Sequence, residues 1–259
     1  MKIKKLWLVM LIAALLFSMM TFGCDEGTSA LGDTLKLSGK VYVENYNEET
    51  DTSTFSVYSG TALTLKEYET QLTATVSATG DLSFTMDAPD AEHLVSVSSM
   101  TDDMVGGDDD PDTIPTYTNI KISNDNAKVF VLSGFSNNVG DKYYSLSRQY
   151  EDMQQNINAT TGSFSASMDE IMVAYYYVTE DVKITATGST SNEGMMGLPI
   201  KTEFKNINLS LKKGWNVVTV SMSMSANGNI NNMEQVSGKF TISIAAGDNS
   251  KARWVLDID

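Results

Sequence analysis

The sequence has little of the residues on which most catalytic and metal sites depend. Its 259 residues include one cysteine, one histidine and four prolines. A single cysteine excludes an intrachain disulfide framework, a cysteine-rich zinc site and a CxxC redox centre. A single histidine excludes paired-histidine metal motifs and leaves His93 for any catalytic relay. The hydrophobic fraction of 42% is near that of globular proteins and too high for a disordered chain.

The N-terminus begins with a short basic segment, which is followed by an apolar run. Lys2, Lys4 and Lys5 precede residues 6–20, which are apolar except for Ser18. This is the layout of a secretory signal, and the run is a little short for a membrane span, which needs about 20 residues. We therefore expect the rest of the chain to be exported.

The chain's cysteine follows a small residue at the end of this run. Gly23-Cys24 in that position resembles the lipobox of bacterial lipoprotein precursors. The resemblance implies a signal peptide over 1–23, cleavage before Cys24 and a lipid on the Cys24 thiol. The alternative is an uncleaved N-terminal anchor with an incidental cysteine. Either arrangement attaches an exported protein to a cell-envelope membrane, and neither distinguishes the inner from the outer one.

The charge balance is strongly acidic. The net charge is −15 with the signal included. The signal carries three of the lysines and no acid, so its removal leaves a still more acidic chain. Such a surface repels nucleic-acid phosphates and anionic lipid headgroups. We therefore expect no nucleic-acid partner, and a membrane contact made through the lipid anchor alone.

Apolar and polar residues alternate along most of the mature chain, and Gly, Asn, Asp and Ser separate the alternating segments. A period of two is typical of strands with one wet face. The sequence predicts an all-β fold, with residues 24–34 as the lipidated cysteine and a flexible tether. The predicted strands are residues 40–43, 54–58, 82–86, 129–132, 173–178, 182–186, 207–211, 215–224, 240–244 and 254–258.

Two blocks of sequence occur twice. Residues 68–87 match 150–169 at an offset of 82, and 119–123 match 206–210 at an offset of 87. These repeats predict two tandem antiparallel β-sandwich modules, over 35–130 and 131–259. Gly214, after the second block, is expected to take a left-handed conformation and close a hairpin.

The openings of two predicted strands also resemble a known class of domain. Leu-Ser-Gly-Lys-Val-Tyr-Val at 37–43 and Gly-x-Leu-Ser-Phe at 80–84 are similar to transthyretin-like, carboxypeptidase-regulatory modules. That resemblance implies a β-sandwich and carries no function.

An acidic loop offers a candidate cation site. Asp108, Asp110 and Asp112 could converge on Ca²⁺, a cation that prefers oxygen ligands. The EF-hand pattern is not met, because Thr113 stands where it needs Gly and Asn119 where it needs Glu. The alternative is a solvated acidic loop between two strands.

Histidine and methionine supply weaker candidates. His93 lacks a G-x-S-x-G nucleophile elbow and is expected to be a surface residue. Thioethers suit Cu(I), and Met195-Met196 lies in a glycine-flanked segment. Met222 and Met224 share one face of a predicted strand, which favours packing in a core over copper binding.

Aromatic and acidic residues leave two further possibilities. Tyr175, Tyr176, Tyr177 and Trp215 could form a platform for a sugar or a protein partner, although alternation turns at least one side of this strand to the core. The 33 carboxylates could include a hydrolytic pair about 5–10 Å apart. No pair stands out in the sequence.

Together these features favour a non-enzymatic binding or structural component of the cell envelope. A carbohydrate- or peptide-binding module using Tyr and Trp surfaces is the first alternative. A carboxylate-based hydrolase is the second.

Overall fold

A computed structural model describes residues 30–47, 52–102, 117–191 and 200–258. Strands dominate these ranges, with one 3₁₀ helix (Ala91–His93) and one short helix α1 (Val97–Asp102). The strands up to residue 132 are β1 (Ala30–Gly32), β2 (Leu35–Asn47), β3 (Thr52–Val57), β4 (Leu63–Lys66), β5 (Thr73–Val76), β6 (Asp81–Met86), β7 (Val95–Ser96), β8 (Tyr117–Ile122) and β9 (Lys128–Leu132). The later strands are β10 (Gly134–Val139), β11 (Lys142–Ile157), β12 (Ser163–Val178), β13 (Val182–Gly188), β14 (Thr190–Ser191), β15 (Ile200–Phe204), β16 (Ile207–Leu211), β17 (Gly214–Asn229), β18 (Asn232–Ala246) and β19 (Arg253–Ile258).

Strict alternation explains why these segments are strands. In β6, Leu82, Phe84 and Met86 are buried while the residues between them are exposed. Successive side chains of a strand point to opposite faces, so this sequence gives one apolar and one wet face. Gly80 precedes β6 with a φ of 74°, a conformation that glycine adopts without the penalty of a Cβ.

Most strands join one large sheet. Its order is β10-β4-β5-β6-β2-β19-β11-β12-β17-β18-β15-β14. Strand β10 also pairs with β11, which closes the strands from β10 to β11 into a ring. The shorter β9 pairs with the end of β12, and β16, β13 and β8 form a separate three-stranded sheet.

Two hydrophobic cores lie on opposite faces of the central strands β9, β12 and β17. On one face, Tyr176 and Val218 pack with the three-stranded sheet and α1. On the other, Tyr175, Tyr177 and Trp215 pack inside the ring of strands. Because both faces are covered, the sequences of β12 and β17 are largely apolar where these strands lie between the two cores.

The all-β prediction is confirmed. The strand pairing also shows which segments share a core, which periodicity alone does not reveal. Both cores use strands from either side of residue 130, because β8 pairs with β13 and β19 pairs with β2. The predicted module boundary falls within β9. Residues 30–32, at the end of the predicted tether, form β1 and pair with β17.

The repeated blocks occupy related places. Gly80 and Gly162 have φ values of 74° and 73° and precede β6 and β12. Strands β8 and β16, which contain the second block, lie on the two edges of β13. Gly214 has the predicted left-handed φ, at 93°, but it closes no hairpin. Strands β16 and β17 lie in different sheets, so the hairpin prediction was wrong and the chain crosses between layers here.

The long strands β11, β12, β17 and β18 extend beyond the two cores. In this extension, Phe164 and Val236 approach each other above Gly228, where a Cβ would lie 2.8 Å from Val236 Cγ2 and 3.1 Å from Phe164 Cε1. The glycine gap therefore lets an aromatic ring cover its neighbouring strands. The opposite face presents hydroxyl and amide side chains from all four strands to solvent. In the described ranges we find no helix with the length and apolar character needed to cross a bilayer.

Candidate functional site

A cleft of about 410 Å³ opens beside β2, between β1 and β19. It is lined on its apolar side by Leu31, Leu37, Val217 and Trp254. Tyr175 also lines it, and its ring stacks on Trp254 with centroids 6.2 Å apart and an interplanar angle of 13°. The volume lies within the range of small-molecule sites, about 300–1,000 Å³, and the apolar side is typical of one.

Arg148 lies on the wall of this cleft. Its Nη1 donates to the Tyr175 hydroxyl at 3.1 Å, and its Nη2 lies 2.7 Å from Asp248 Oδ1. The Arg148 side chain is 17% exposed, so the guanidinium is largely withdrawn from water yet borders the opening. These contacts hold the guanidinium in one position, which reduces the entropy that binding a ligand would cost.

Tyr175 is held as a neutral phenol. Burial raises the pKa of the Tyr175 hydroxyl, and the positive charge of Arg148 offsets part of that increase. Because the hydroxyl oxygen accepts the bond from Arg148, its own proton is available to donate. The cleft therefore offers a second donor beside the guanidinium.

Five consecutive residues of β2, from Lys36 to Lys40, line the other wall of the cleft. Consecutive lining residues mean that the strand presents its edge, since its side chains alternate between faces. Val41 N donates to Gly80 O at 2.8 Å, and the register with β6 continues through Gly39–Leu82 and Leu37–Phe84. Odd-numbered residues therefore bond β6, and the backbone groups of the intervening residues point to the cleft.

Glycine keeps the edge of Trp254 open to β2. A Cβ at Gly39, whose φ is 148°, would lie 3.5 Å from Trp254 Cδ1 and 3.9 Å from its Nε1. The indole edge therefore approaches the backbone of β2 with no side chain between them.

A second, smaller cleft of about 250 Å³ lies on the same face of the central sheet. Ser221, Ser223, Thr241 and Ser243 line it with Tyr150 and Lys251. The Lys251 ammonium lies 5.2 Å from the centre of the Tyr150 ring. The loop between β18 and β19 contributes Asp248 to the first cleft and Lys251 to the second.

Strands β11 and β12 contain two pairs of acidic residues, and the members of each pair lie opposite each other on the two strands. Glu151 lies opposite Glu170, and Asp152 lies opposite Asp169. Burial, with a contribution from the charge of Glu151, raises the pKa of Glu170 to about 7. Burial also raises the pKa of Glu151, with contributions from Glu44 and Asp257. Like charges directly opposite each other destabilise a sheet, so this arrangement carries a cost in the folded state.

The aromatic residues predicted as a binding platform are buried. Tyr175, Tyr176, Tyr177 and Trp215 are between 0% and 8% exposed. Alternation sends Tyr176 to one core and its neighbours to the other, so these four residues form no exposed platform, and the expectation that at least one side faces a core is confirmed. Tyr175 nevertheless borders the first cleft.

Among the other sequence candidates that the structure describes, Met222 lines the second cleft and His93 lines neither cleft. His93 ends the 3₁₀ helix, and its Nε2 lies 3.7 Å from Glu92 Oε1. Met222 belongs to a core and Met224 packs against it, as their shared strand face predicted. Cys24, Asp108, Asp110, Asp112, Met195 and Met196 lie outside the described residues. Within the described ranges, no three His, Cys, Asp or Glu side chains are grouped so as to hold a metal ion.

Apart from Tyr175, sequence reasoning missed the functional residues of the first cleft. The chain contains two arginines, Arg148 and Arg253, and that scarcity was the one available signal. The Arg253 guanidinium lies 4.1 Å from the Phe55 ring centre and 5.6 Å from that of Tyr42. Both arginines line the cleft, and Arg148 is the one whose guanidinium contacts Tyr175 and Asp248 there.

Comparison with known proteins gives no family and no relative. No protein-family model, curated protein or solved structure matches the chain.

Proposed function

We propose that this chain is a non-enzymatic binding protein of the bacterial cell envelope, anchored by a lipid on Cys24. Its ligand carries a carboxylate and occupies the cleft beside β2. The signal-like N-terminus supports the location, and the chemistry of the cleft supports the ligand.

The observation that carries the proposal is Arg148 on the wall of a partly apolar cleft. An arginine fork with five N–H donors matches the two oxygens of a carboxylate. Arg148 has donors beyond those used by Tyr175 and Asp248, and the Tyr175 proton is a further donor. A carboxylate at the cleft wall would meet all of these groups.

The surrounding charges favour an anion there more than elsewhere on the chain. Lys36 and Lys40 line the cleft, and Asp248 is the acidic residue of its lining. Lys40 is paired with Asp81 at 2.6 Å, while no ion pair of Lys36 occurs within the described ranges. In a protein with a net charge of −15, this group gives the cleft a local excess of positive charge.

Intrinsic tryptophan fluorescence, to which Trp254 in the cleft contributes, tests the ligand class. The purified protein is titrated with succinate, galacturonate and N-acetylalanine, and with neutral glucose and N-acetylglucosamine. We expect saturable changes with one or more of the acids and none with the neutral sugars. Arg148→Met removes the response, because it deletes the donor fork and keeps an apolar stem. Lys183→Met, an exposed change on the three-stranded sheet, leaves it intact. An Arg148-independent response, or none from any acid, refutes the proposal.

Fractionation tests the anchor. A bacterial host that processes lipoproteins should place the wild-type chain in its membrane fraction and incorporate labelled palmitate into it. Cys24→Ser should abolish the label, because acylation requires the thiol. If the Cys24→Ser chain keeps the palmitate label, or the wild-type chain never acquires it, the lipid anchor is refuted.

A carboxylate-based hydrolase is the second candidate, favoured by Glu170. A pKa of about 7 keeps this carboxyl partly protonated near neutrality, with Glu151 directly opposite. Such a pair can supply a general acid and a base. Release of nitrophenol from nitrophenyl glycosides, lost in Glu170→Gln, would favour this function over binding alone. No release by the wild-type protein would exclude these substrates.

A further inference from the structure

We propose that the ligand of the first cleft is an extended peptide that adds to the free edge of β2 as an extra strand, with its carboxylate at Arg148. This inference rests on the proposed function and specifies the ligand class.

The first step is the unpaired edge. Strand β19 pairs in parallel with one edge of β2 from Val41 to Val43, and β6 and β3 pair with the other edge. On the side opposite β6, no strand within the described ranges pairs with residues 35–40. An edge of this kind is a template for another strand.

The second step is the direction of the backbone groups. Since Leu37, Gly39 and Val41 bond towards β6, the N–H and C=O groups of the alternate residues face the cleft. Those groups are the N–H and C=O of Lys36 and Ser38 and the N–H of Lys40, because the parallel register with β19 places Trp254 opposite Val41 and so uses the Lys40 carbonyl. A peptide in the cleft can satisfy these groups, and the spacing requires its backbone to be extended.

The third step is the fit of side chains. Residues of an added strand alternate between the two faces, so every second side chain would turn towards Leu37, Val217 and Trp254. The intervening side chains would turn to the outer face, where Lys36 and Lys40 are exposed. Positive charge on that face and at Arg148 selects a peptide with acidic groups.

A sugar acid satisfies this edge less well. Its hydroxyls can bond a few backbone groups, but they do not repeat at the spacing of alternate strand residues. The cleft has the edge of β2 as one wall and includes Val217 and Trp254 in its lining, and an extended backbone with alternating side chains matches both.

Selection from a library tests the inference. A library of random heptapeptides with free C-termini is panned against the full-length chain in detergent, and enriched peptides are measured by fluorescence anisotropy. We expect enriched peptides that alternate apolar and polar residues and carry an acidic group. Binding should protect the amides of Lys36, Ser38 and Lys40 from hydrogen exchange. Arg148→Met should weaken binding about tenfold or more, and Lys183→Met should not.

Backbone methylation separates strand addition from other modes. N-methylation of the bound peptide at alternate residues removes donors to β2 and should cost about fivefold to tenfold each, the effect of one hydrogen bond. Methylation of the intervening residues should cost much less. Uniform sensitivity, or none, overturns strand addition.

Proline substitution tests the same edge from the protein side. Ser38→Pro removes an N–H that faces the cleft and leaves the β6 ladder intact, so the chain should keep its melting temperature and lose peptide affinity. Leu37→Pro removes a ladder bond and should unfold the strand. If Ser38→Pro also unfolds the chain, residue 38 is not a free edge position and the inference fails.

The two proposals fail separately. If the library yields no Arg148-dependent peptide while small acids still change the tryptophan fluorescence, strand addition is overturned and the carboxylate site remains. If neither peptides nor acids depend on Arg148, both are overturned.

Discussion

Replacing Glu170 with glutamine should stabilise the protein in a strongly pH-dependent way. Glu170 lies opposite Glu151 on adjacent strands, and burial raises its pKa to about 7. In the unfolded chain the same group titrates near its usual value of 4.5. The folded protein therefore holds this proton more tightly than the unfolded chain does.

The magnitude follows from the difference between the two pKa values. At 1.36 kcal/mol for each pH unit, the separation between 4.5 and about 7 corresponds to about 3 kcal/mol. Below pH 4.5 the group is neutral in both states and contributes its full stability. As the pH rises towards 7 the unfolded chain releases its proton first, and this stability is progressively lost.

Glutamine keeps the shape of the side chain and carries no charge at any pH. We expect the free energy of unfolding of Glu170→Gln to exceed that of the wild type by about 2–3 kcal/mol at pH 8.5. At pH 4 the two proteins should be nearly equal. Urea unfolding at both pH values, followed by circular dichroism, measures the difference.

The matched control is Glu180→Gln, at an exposed residue two positions after the end of β12. It should change stability little at either pH, because surface changes of this kind contribute within about 0.5 kcal/mol. If Glu170→Gln changes stability equally at pH 4 and pH 8.5, the partly buried Glu170 carboxyl does not carry the cost assigned to it.

Three further substitutions test the packing by urea or thermal unfolding. Asn216→Ala should cost about 2–3 kcal/mol, because this buried amide donates to Lys212 O at 2.7 Å and to Gly214 O at 2.9 Å, where the chain crosses between sheets; a cost below about 0.5 kcal/mol would contradict its role. Gly228→Val should lower the melting temperature, because the new Cβ would lie 2.8 Å from the Val236 backbone. An unchanged melting temperature would show that Val236 does not pack closely against residue 228. Leu146→Ala, at 0% exposure, should cost about 2–5 kcal/mol, whereas Leu72→Ala, at 41% exposure, should cost less than about 1 kcal/mol; equal costs would contradict the assigned core.

Local structure was predictable from the sequence where it depends on neighbouring residues. The alternation of Leu82, Phe84 and Met86 predicts β6, and the polar glycine segment before it predicts a turn. Gly214 takes the left-handed conformation expected of a glycine between two strands. These features depend on side-chain period and on backbone freedom, both of which a single sequence displays.

Strand length was less predictable. The sequence predicts a strand over 173–178, yet β12 begins at Ser163. Apart from Phe164, its first half consists of Ser, Ala, Met, Asp and Glu, which have little intrinsic strand preference. Pairing with β11 on one side and β17 on the other makes this segment a strand, because tertiary contacts override weak propensity.

The candidate site depends on pairings that are remote in sequence. Arg148 on β11 contacts Tyr175 on β12 and Asp248 in the loop before β19. Arg148 and Asp248 are 100 residues apart in the sequence. The free edge of β2 exists because β19 pairs with it only from Val41 onward and then leaves it. The same absence of a partner that hides this edge from sequence analysis makes its backbone available to a ligand.

A peptide bound at residues 36–40 would lie on the same edge of β2 as β19. A peptide that is covalently fused to the protein and occupies this edge should therefore compete with free peptide. Fusing an alternating acidic peptide to the C-terminus through a flexible Gly-Ser linker should therefore raise stability and block free peptide, and Arg148→Met should reverse both effects. A fusion that neither stabilises the chain nor competes would mean that this edge does not accept a strand.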